Sequence, residues 1–114
     1  MKKSKLIAQI SALQGRAYSV SLKNGFWLGP KGELDYKLNA IQKELDEAKL
    51  KDMTPDKHLP EYSNMAVELA DVILMTMDTA AGFGINLAEI VAKKAKFNET
   101  RQYKSEQKYI LGQE

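Results

Sequence analysis

The 114-residue chain has no cysteine, which excludes disulfides and thiolate metal sites and is compatible with a reducing compartment. A single histidine, His58, falls in a loop-forming stretch, where a lone histidine is more often incidental than catalytic. Proline occurs three times, each time in a connection: within Gly29-Pro30-Lys31-Gly32, and as Pro55 and Pro60 of the segment 52–60. No charge sign dominates: seventeen basic against fifteen acidic residues leave a net charge of +2, with the lysines spread over helix surfaces. Nothing there points to nucleic acid. The most apolar stretch is interrupted by Glu68, Asp71 and Asp78, so it is a poor membrane span. The basic start, Met1–Lys5, leads into an amphipathic segment with no apolar signal core. The expected location is cytoplasmic. Strand-like alternation, repeats and low-complexity segments are also missing, which leaves an all-α class. At 44% apolar residues, the chain can build one domain of ordinary size.

What is present is organised around a helical stretch from Tyr62 to Ala81. Its apolar residues, Met65, Val67, Leu69, Val72, Ile73, Leu74 and Met77 among them, point almost all the way round the axis. Three acids sit inside it. Glu68, Asp71 and Asp78 fall within about 80° of one another, on a stripe shared with Asn64 and Met75. Carboxylates on a buried helix are costly unless paired, hydrogen-bonded or bound to metal. A second pair, Glu44 and Glu47, precedes them with the same spacing, and twenty residues (48 to 67) separate the pairs.

The remaining segments read as helices and their connections. Leu6, Ile10, Leu13, Ala17 and Val20 mark an amphipathic helix over residues 4–23, ended by Asn24-Gly25. Phe26 and Trp27 follow, either as a hydrophobic plug over the core or as a stacking surface for a planar ligand. A second helix over 35–51 carries Leu38, Ile41, Leu45 and Ala48 as its buried stripe, with Glu44 about 70° from its centre and Glu47 further out. Gly82-Phe83-Gly84 stops the central helix. Asn86 with Glu89 resembles a capping box opening a last helix, on which Lys94, Asn98 and Arg101 share a face. The residues to about 104 form the domain, and 105–114 a polar tail with the apolar cluster Tyr109-Ile110-Leu111. Three short helices cannot cover the central one on every side, so a homodimer or a tetramer of dimers is expected.

Together these residues resemble the MazG-like branch of the all-α nucleoside triphosphate pyrophosphohydrolases. That family's mark is Glu-x-x-Glu, a variable gap, then Glu-x-x-Asp. Here it reads Glu44-Leu-Asp-Glu47 and Glu68-Leu-Ala-Asp71. Gly25-Phe26-Trp27 looks like the family's aromatic segment, Pro55-Asp56-Lys57-His58-Leu59-Pro60 like its loop, and Lys94-x-x-x-Asn98-x-x-Arg101 like its basic motif. The resemblance spans roughly residues 20 to 104. Glu-x-x-Glu alone is weak; the ordered set carries the likeness. The chain departs from the pattern at Gln102, where members often have proline, in lacking the histidine-glycine-lysine that often follows, and at Asn86, where many carry aspartate.

The resemblance implies a four- to five-helix bundle, completed by oligomerisation, that splits a (d)NTP into a (d)NMP and pyrophosphate. Glu44, Glu47, Glu68 and Asp71 would hold Mg²⁺ or Mn²⁺, the cations that hard oxygen ligands select. Two unit charges 4 Å apart repel by about 4 kcal/mol at an effective dielectric near 20, so four converging acids call for cations. Either a carboxylate or a metal-bound hydroxide would act as base. Lys94 and Arg101 would contact phosphate, Asn98 the sugar or a phosphate, and Phe26 and Trp27 would line the base pocket. Two alternatives stay open: a phosphoribosyl-ATP pyrophosphohydrolase, and a non-enzymatic dimeric helical regulatory or interaction module.

Overall fold

Glycine in the left-handed region ends the first helix, as the Asn24-Gly25 pair predicts. Gly25 has φ +77°, Phe26 N–H bonds back to the Ser21 carbonyl at 3.0 Å, and Gly25 N–H bonds to that of Leu22 at 3.1 Å. This pairing satisfies carbonyls the helix end would otherwise leave open. In the computed structural model, which describes residues 2–101, this helix is α1, Lys2–Lys23. A 3₁₀ turn, Gly29–Gly32, leads to α2, Leu34–Ala48. The central helix α3 is Asn64–Gly82, and α4 is Leu87–Thr100. No strand occurs among the described residues, so the fold is all-α. The expected tail, Gln102 included, lies outside the described residues.

The helix ends differ slightly from expectation, for local reasons. Helix α3 begins at Asn64 rather than Tyr62 because the Ser63 hydroxyl accepts from Ala66 N–H at 3.2 Å. Helix α2 stops at Ala48, three residues early, and Lys51 then takes φ +54°. Asn86 caps α4 as expected, accepting from Glu89 N–H at 3.3 Å. Between α2 and α3 the chain leaves and returns through one clasp. Met65 N–H donates to the Asp52 carbonyl at 2.9 Å, Asn64 N–H to the Thr54 carbonyl at 2.8 Å, and Asn64 Nδ2 to Asp52 Oδ2 at 2.9 Å. Further out, Asp56 N–H bonds to the Tyr62 carbonyl, and Asp56 Oδ2 accepts from His58 and Leu59 N–H.

Helices α1 and α2 both pack on α3 but not on each other, while α4 lies on α1 and touches α3. The result is an open groove over α3. Two inner faces are turned from where the apolar pattern puts them. On α2, Lys37 and Ala48 are buried while Leu38 and Leu45 are exposed, so the inner face is rotated by about 60° toward the glutamates. Lys37 causes this: its Nζ donates to the Phe26 carbonyl and stands 4.1 Å from the Trp27 ring centroid, a cation–π contact that buries the stem. On α1 the buried residues are Gln14 and Ser21, whereas Leu6, Leu13 and Val20 are exposed. Gln14 Nε2 donates to the Met77 and Ile85 carbonyls, both at 3.2 Å, tying α1 to the end of α3.

Among the described residues the fully apolar core is small: Ala48, Ala80 and Ala88 are buried, and no large side chain is wholly enclosed. Aromatic contacts supply much of the remaining packing. Trp27 meets Tyr18 edge-on at 5.7 Å and Phe83 at 5.8 Å between ring centroids. No described helix is long and apolar enough to cross a membrane.

Candidate functional site

Three of the four expected acids converge. Glu44 and Glu47 from α2 and Glu68 from α3 each place a carboxylate oxygen within 4.8 Å of the others. All three are half-buried. The rotation of α2 puts Glu47 here, on a less exposed side than its helical angle predicts. Glu68 Oε1 is buried and has no hydrogen-bond partner, while the Glu47 carboxyl approaches the same side chain. Burial raises the Glu68 carboxyl above its ordinary 4.5, and contact with Glu47 and the fields of Glu44 and Asp52 raise it further. Glu44 is raised by burial, then by Glu47 and Asp71, against the opposing pull of Lys43. Such a cluster is held at a cost that a cation would remove.

Asp71 differs from expectation. It is exposed rather than buried, and it stands outside the three-acid cluster. The reason is that α1 and α2 do not meet over α3, so the stripe between them stays open. Its carboxyl is still raised, by partial desolvation first and then by Asp56. The expected shared stripe itself is real. Asp71, Met75 and Asp78 line the groove along α3, and Asn64 anchors one end of the same stripe on Asp52.

Two cavities open along that groove, and Phe26 lines both. On the α1 side is a cavity of about 390 Å³ whose lining includes Leu13, Val20, Ser21, Asp71 and Asp78. On the α2 side is one of about 360 Å³, lined among others by Lys31, Tyr36, Lys37, Glu44 and Asp78. Phe26, Met75 and Asp78 belong to both. A half-exposed aromatic wall thus stands next to an acidic cluster, across a space of the size small-molecule sites use.

The two aromatics have separate roles. Phe26 faces the groove, but Trp27 lines neither cavity. Its Nε1 donates to Asp78 Oδ1 at 2.9 Å, and its ring lies against Gly82. For Trp27 the plug reading describes the geometry. Lys94 and Asn98 on α4 and Arg101 at its C-cap are exposed and line neither cavity, and Lys94 and Arg101 both lie near the Phe97 ring of α4. The cations that do line the groove are Arg16, Lys31 and Lys37. Lys37 is lowered from 10.5 by desolvation, with Asp78 opposing and Lys31 adding to the shift. Lys37 and Ser21 carry no motif. The one available signal for Ser21 is its seven-residue spacing from Gln14, which gives α1 a second, polar face. His58 is exposed, and its backbone N–H donates to Asp56 Oδ2. No family model, curated protein or solved structure matches the chain.

Proposed function

We propose that the chain is a Mg²⁺-dependent nucleoside triphosphate pyrophosphohydrolase of the MazG-like kind, cleaving a (d)NTP to a (d)NMP and pyrophosphate. The observation that carries this reading is the meeting of Glu44, Glu47 and Glu68 around the orphaned Oε1 of Glu68, beside the Phe26 groove. Three hard oxygen donors, with the Glu44 and Glu68 carboxyls raised, fit Mg²⁺ or Mn²⁺, and Asp71 stands close enough to add its field to Glu44. A bound cation would neutralise phosphate oxygens and the charge that develops at the α phosphorus.

The chain's own residues would do the rest. Phe26 would hold the base in the groove, and Lys31 would face the phosphates from the 3₁₀ turn on the Glu44 side. A carboxylate of the cluster would take the proton of the attacking water, a role suited to groups raised toward neutrality. Lys94, Asn98 and Arg101 would reach phosphate from a second copy of the chain. Leu69 and Ile73 on α3, 46% and 56% exposed, offer that copy an apolar surface. A dimer, or a tetramer of dimers, follows from this assignment.

The test is pyrophosphate release from a panel of canonical, deoxy and modified triphosphates, with phosphoribosyl-ATP included, in Mg²⁺ and in chelator. Monophosphate and pyrophosphate formed in Mg²⁺ alone support the proposal. Turnover of phosphoribosyl-ATP alone favours the related pyrophosphohydrolase. No turnover of any substrate leaves the non-enzymatic module, for which the exposed apolar face of α3 is the relevant feature.

A further inference from the structure

The α1 side of the groove holds a buried polar atom that nothing in the chain satisfies. Ser21 is 4% exposed, lines the cavity, and its Oγ has no hydrogen-bond partner. A helical hydroxyl can bond to the carbonyl four residues back, as those of Thr76 and Thr79 do here to Val72 and Met75. Ser21 does not. Its helix end is also locked to the groove's aromatic wall, since the Ser21 carbonyl accepts from Phe26 N–H at 3.0 Å. The cavity's second polar group of interest is Asp78. Trp27 Nε1 donates to its Oδ1 at 2.9 Å and so fixes the carboxylate, leaving Oδ2 as an acceptor. Most other lining residues, Leu13, Val20, Leu74 and Met75 among them, are apolar.

We infer that this cavity reads the base, with Ser21 and Asp78 as its reading groups, and that it selects 4-aminopyrimidines and 6-aminopurines over their oxo counterparts. The inference rests on the proposed nucleotide site and names the substrate class within it. The selectivity follows from the two polar groups. A carboxylate can accept but not donate, so it favours an exocyclic amino group and repels a carbonyl in the same place. Cytosine and adenine carry an amino group next to a ring nitrogen that accepts; uracil presents a carbonyl oxygen next to an N–H. The Ser21 hydroxyl can donate to the accepting ring nitrogen while Asp78 takes the amino hydrogen. Phe26, half-exposed, supplies the stacking face.

The experiment is direct binding of cytidine and uridine to the full chain in chelator, followed by NMR or calorimetry, with CTP and UTP turnover in Mg²⁺ measured separately. Cytidine should bind roughly tenfold or more tightly than uridine. Asp78→Asn keeps the oxygen that Trp27 bonds but adds a donor, so the ratio should fall toward one. Ser21→Ala removes a hydroxyl with no partner in the chain, so its melting temperature should not drop while cytidine affinity falls. Equal affinities in the wild type, a ratio unmoved by Asp78→Asn, or no binding of either nucleoside overturns the inference. Selective binding without pyrophosphate release upholds it and sinks the enzymatic reading; equal turnover of CTP and UTP does the reverse.

Discussion

The indole of Trp27 occupies the space that a β-carbon on Gly82 would need, with its Cζ3 2.6 Å from that position. Glycine is therefore required where α3 ends, and the plug depends on it. Gly82→Ala should destabilise the chain by about 1–3 kcal/mol, because the ring must shift and take its bond to Asp78 with it. Thermal unfolding and the near-ultraviolet tryptophan signal would measure this. An unchanged melting temperature would mean that Trp27 yields freely.

Removing one acid of the cluster should separate stability from metal binding. Glu68→Gln replaces an orphaned carboxylate oxygen with a neutral group of the same shape. The metal-free variant should melt at or above the wild-type temperature, because like-charge repulsion is relieved. Several millimolar Mg²⁺ should raise the wild-type melting temperature by mass action and leave the variant nearly unmoved. Equal shifts in both proteins would rule the cluster out as the cation site.

The pH dependence of stability has a definite sign. Folding raises the Glu44, Glu68 and Asp71 carboxyls. Their contribution to stability is full below the unfolded value and is lost as pH rises through the folded one. Asp52 is lowered by bonds from Thr54 and Asn64, and Asp56 by the Leu59 and His58 amides. Their contribution is present above the unfolded value and is lost as pH falls through the folded one. The metal-free chain should therefore be most stable in mildly acid solution, about pH 4 to 5, and saturating Mg²⁺ should move the optimum toward neutrality. Melting scans in chelator and in Mg²⁺ across that range would check it. A metal-free melting temperature that climbs steadily to about pH 8 contradicts the raised carboxyls.

Turnover should follow the geometry. Glu47→Gln and Glu68→Gln each remove a member of the cluster and should each cost several orders of magnitude in kcat, with helicity intact. Asp71→Asn acts from outside the cluster and should cost less, mainly through Glu44. Arg101→Ala should raise KM, and lower kcat as well if the contact strengthens in the transition state. Near-wild-type rates for both glutamine variants would move the active site elsewhere.

Association should depend on the outer face of α3. Ile73→Glu places a charge on an exposed apolar face and should convert a dimer or tetramer to monomer in sedimentation velocity. A wild-type monomer at micromolar concentration would refute the assignment of that face.

Much of the helical layout was legible because its punctuation is chemical and local. Gly25, Gly84 and Asn86 each act within a turn of their own position, and their bonds appear as the sequence suggests or nearly so, whereas the Ser63 cap puts the start of α3 two residues on from Tyr62. The stripe joining Glu68, Asp71, Met75 and Asp78 was also legible, since it follows from helical geometry alone. How each helix is turned toward its neighbours was not. Leu38 and Leu45 outweigh Lys37 in any apolar count, yet Lys37 turns inward because Trp27 and the Phe26 carbonyl, eleven residues away, receive its ammonium. Similarly, the orphaned Ser21 hydroxyl depends on the groove left between α1 and α2, which no local pattern encodes.

The clasp between Asp52 and Asn64 uncouples the two glutamate pairs from the length of chain that separates them. Met65 and Asn64 are tied to Asp52 and Thr54 at the neck, so residues 55–62 form a side excursion whose ends already meet. The neck sets the registration of α2 against α3, and with it the distance from Glu44 and Glu47 to Glu68. Residues could be added or removed around His58–Glu61 without moving Glu44, Glu47 or Glu68, because the cost of a longer closed loop grows only slowly with its length. The count between the pairs is therefore free to drift while the geometry of the three glutamates stays fixed, and the same bend is a natural place to open the chain for new termini.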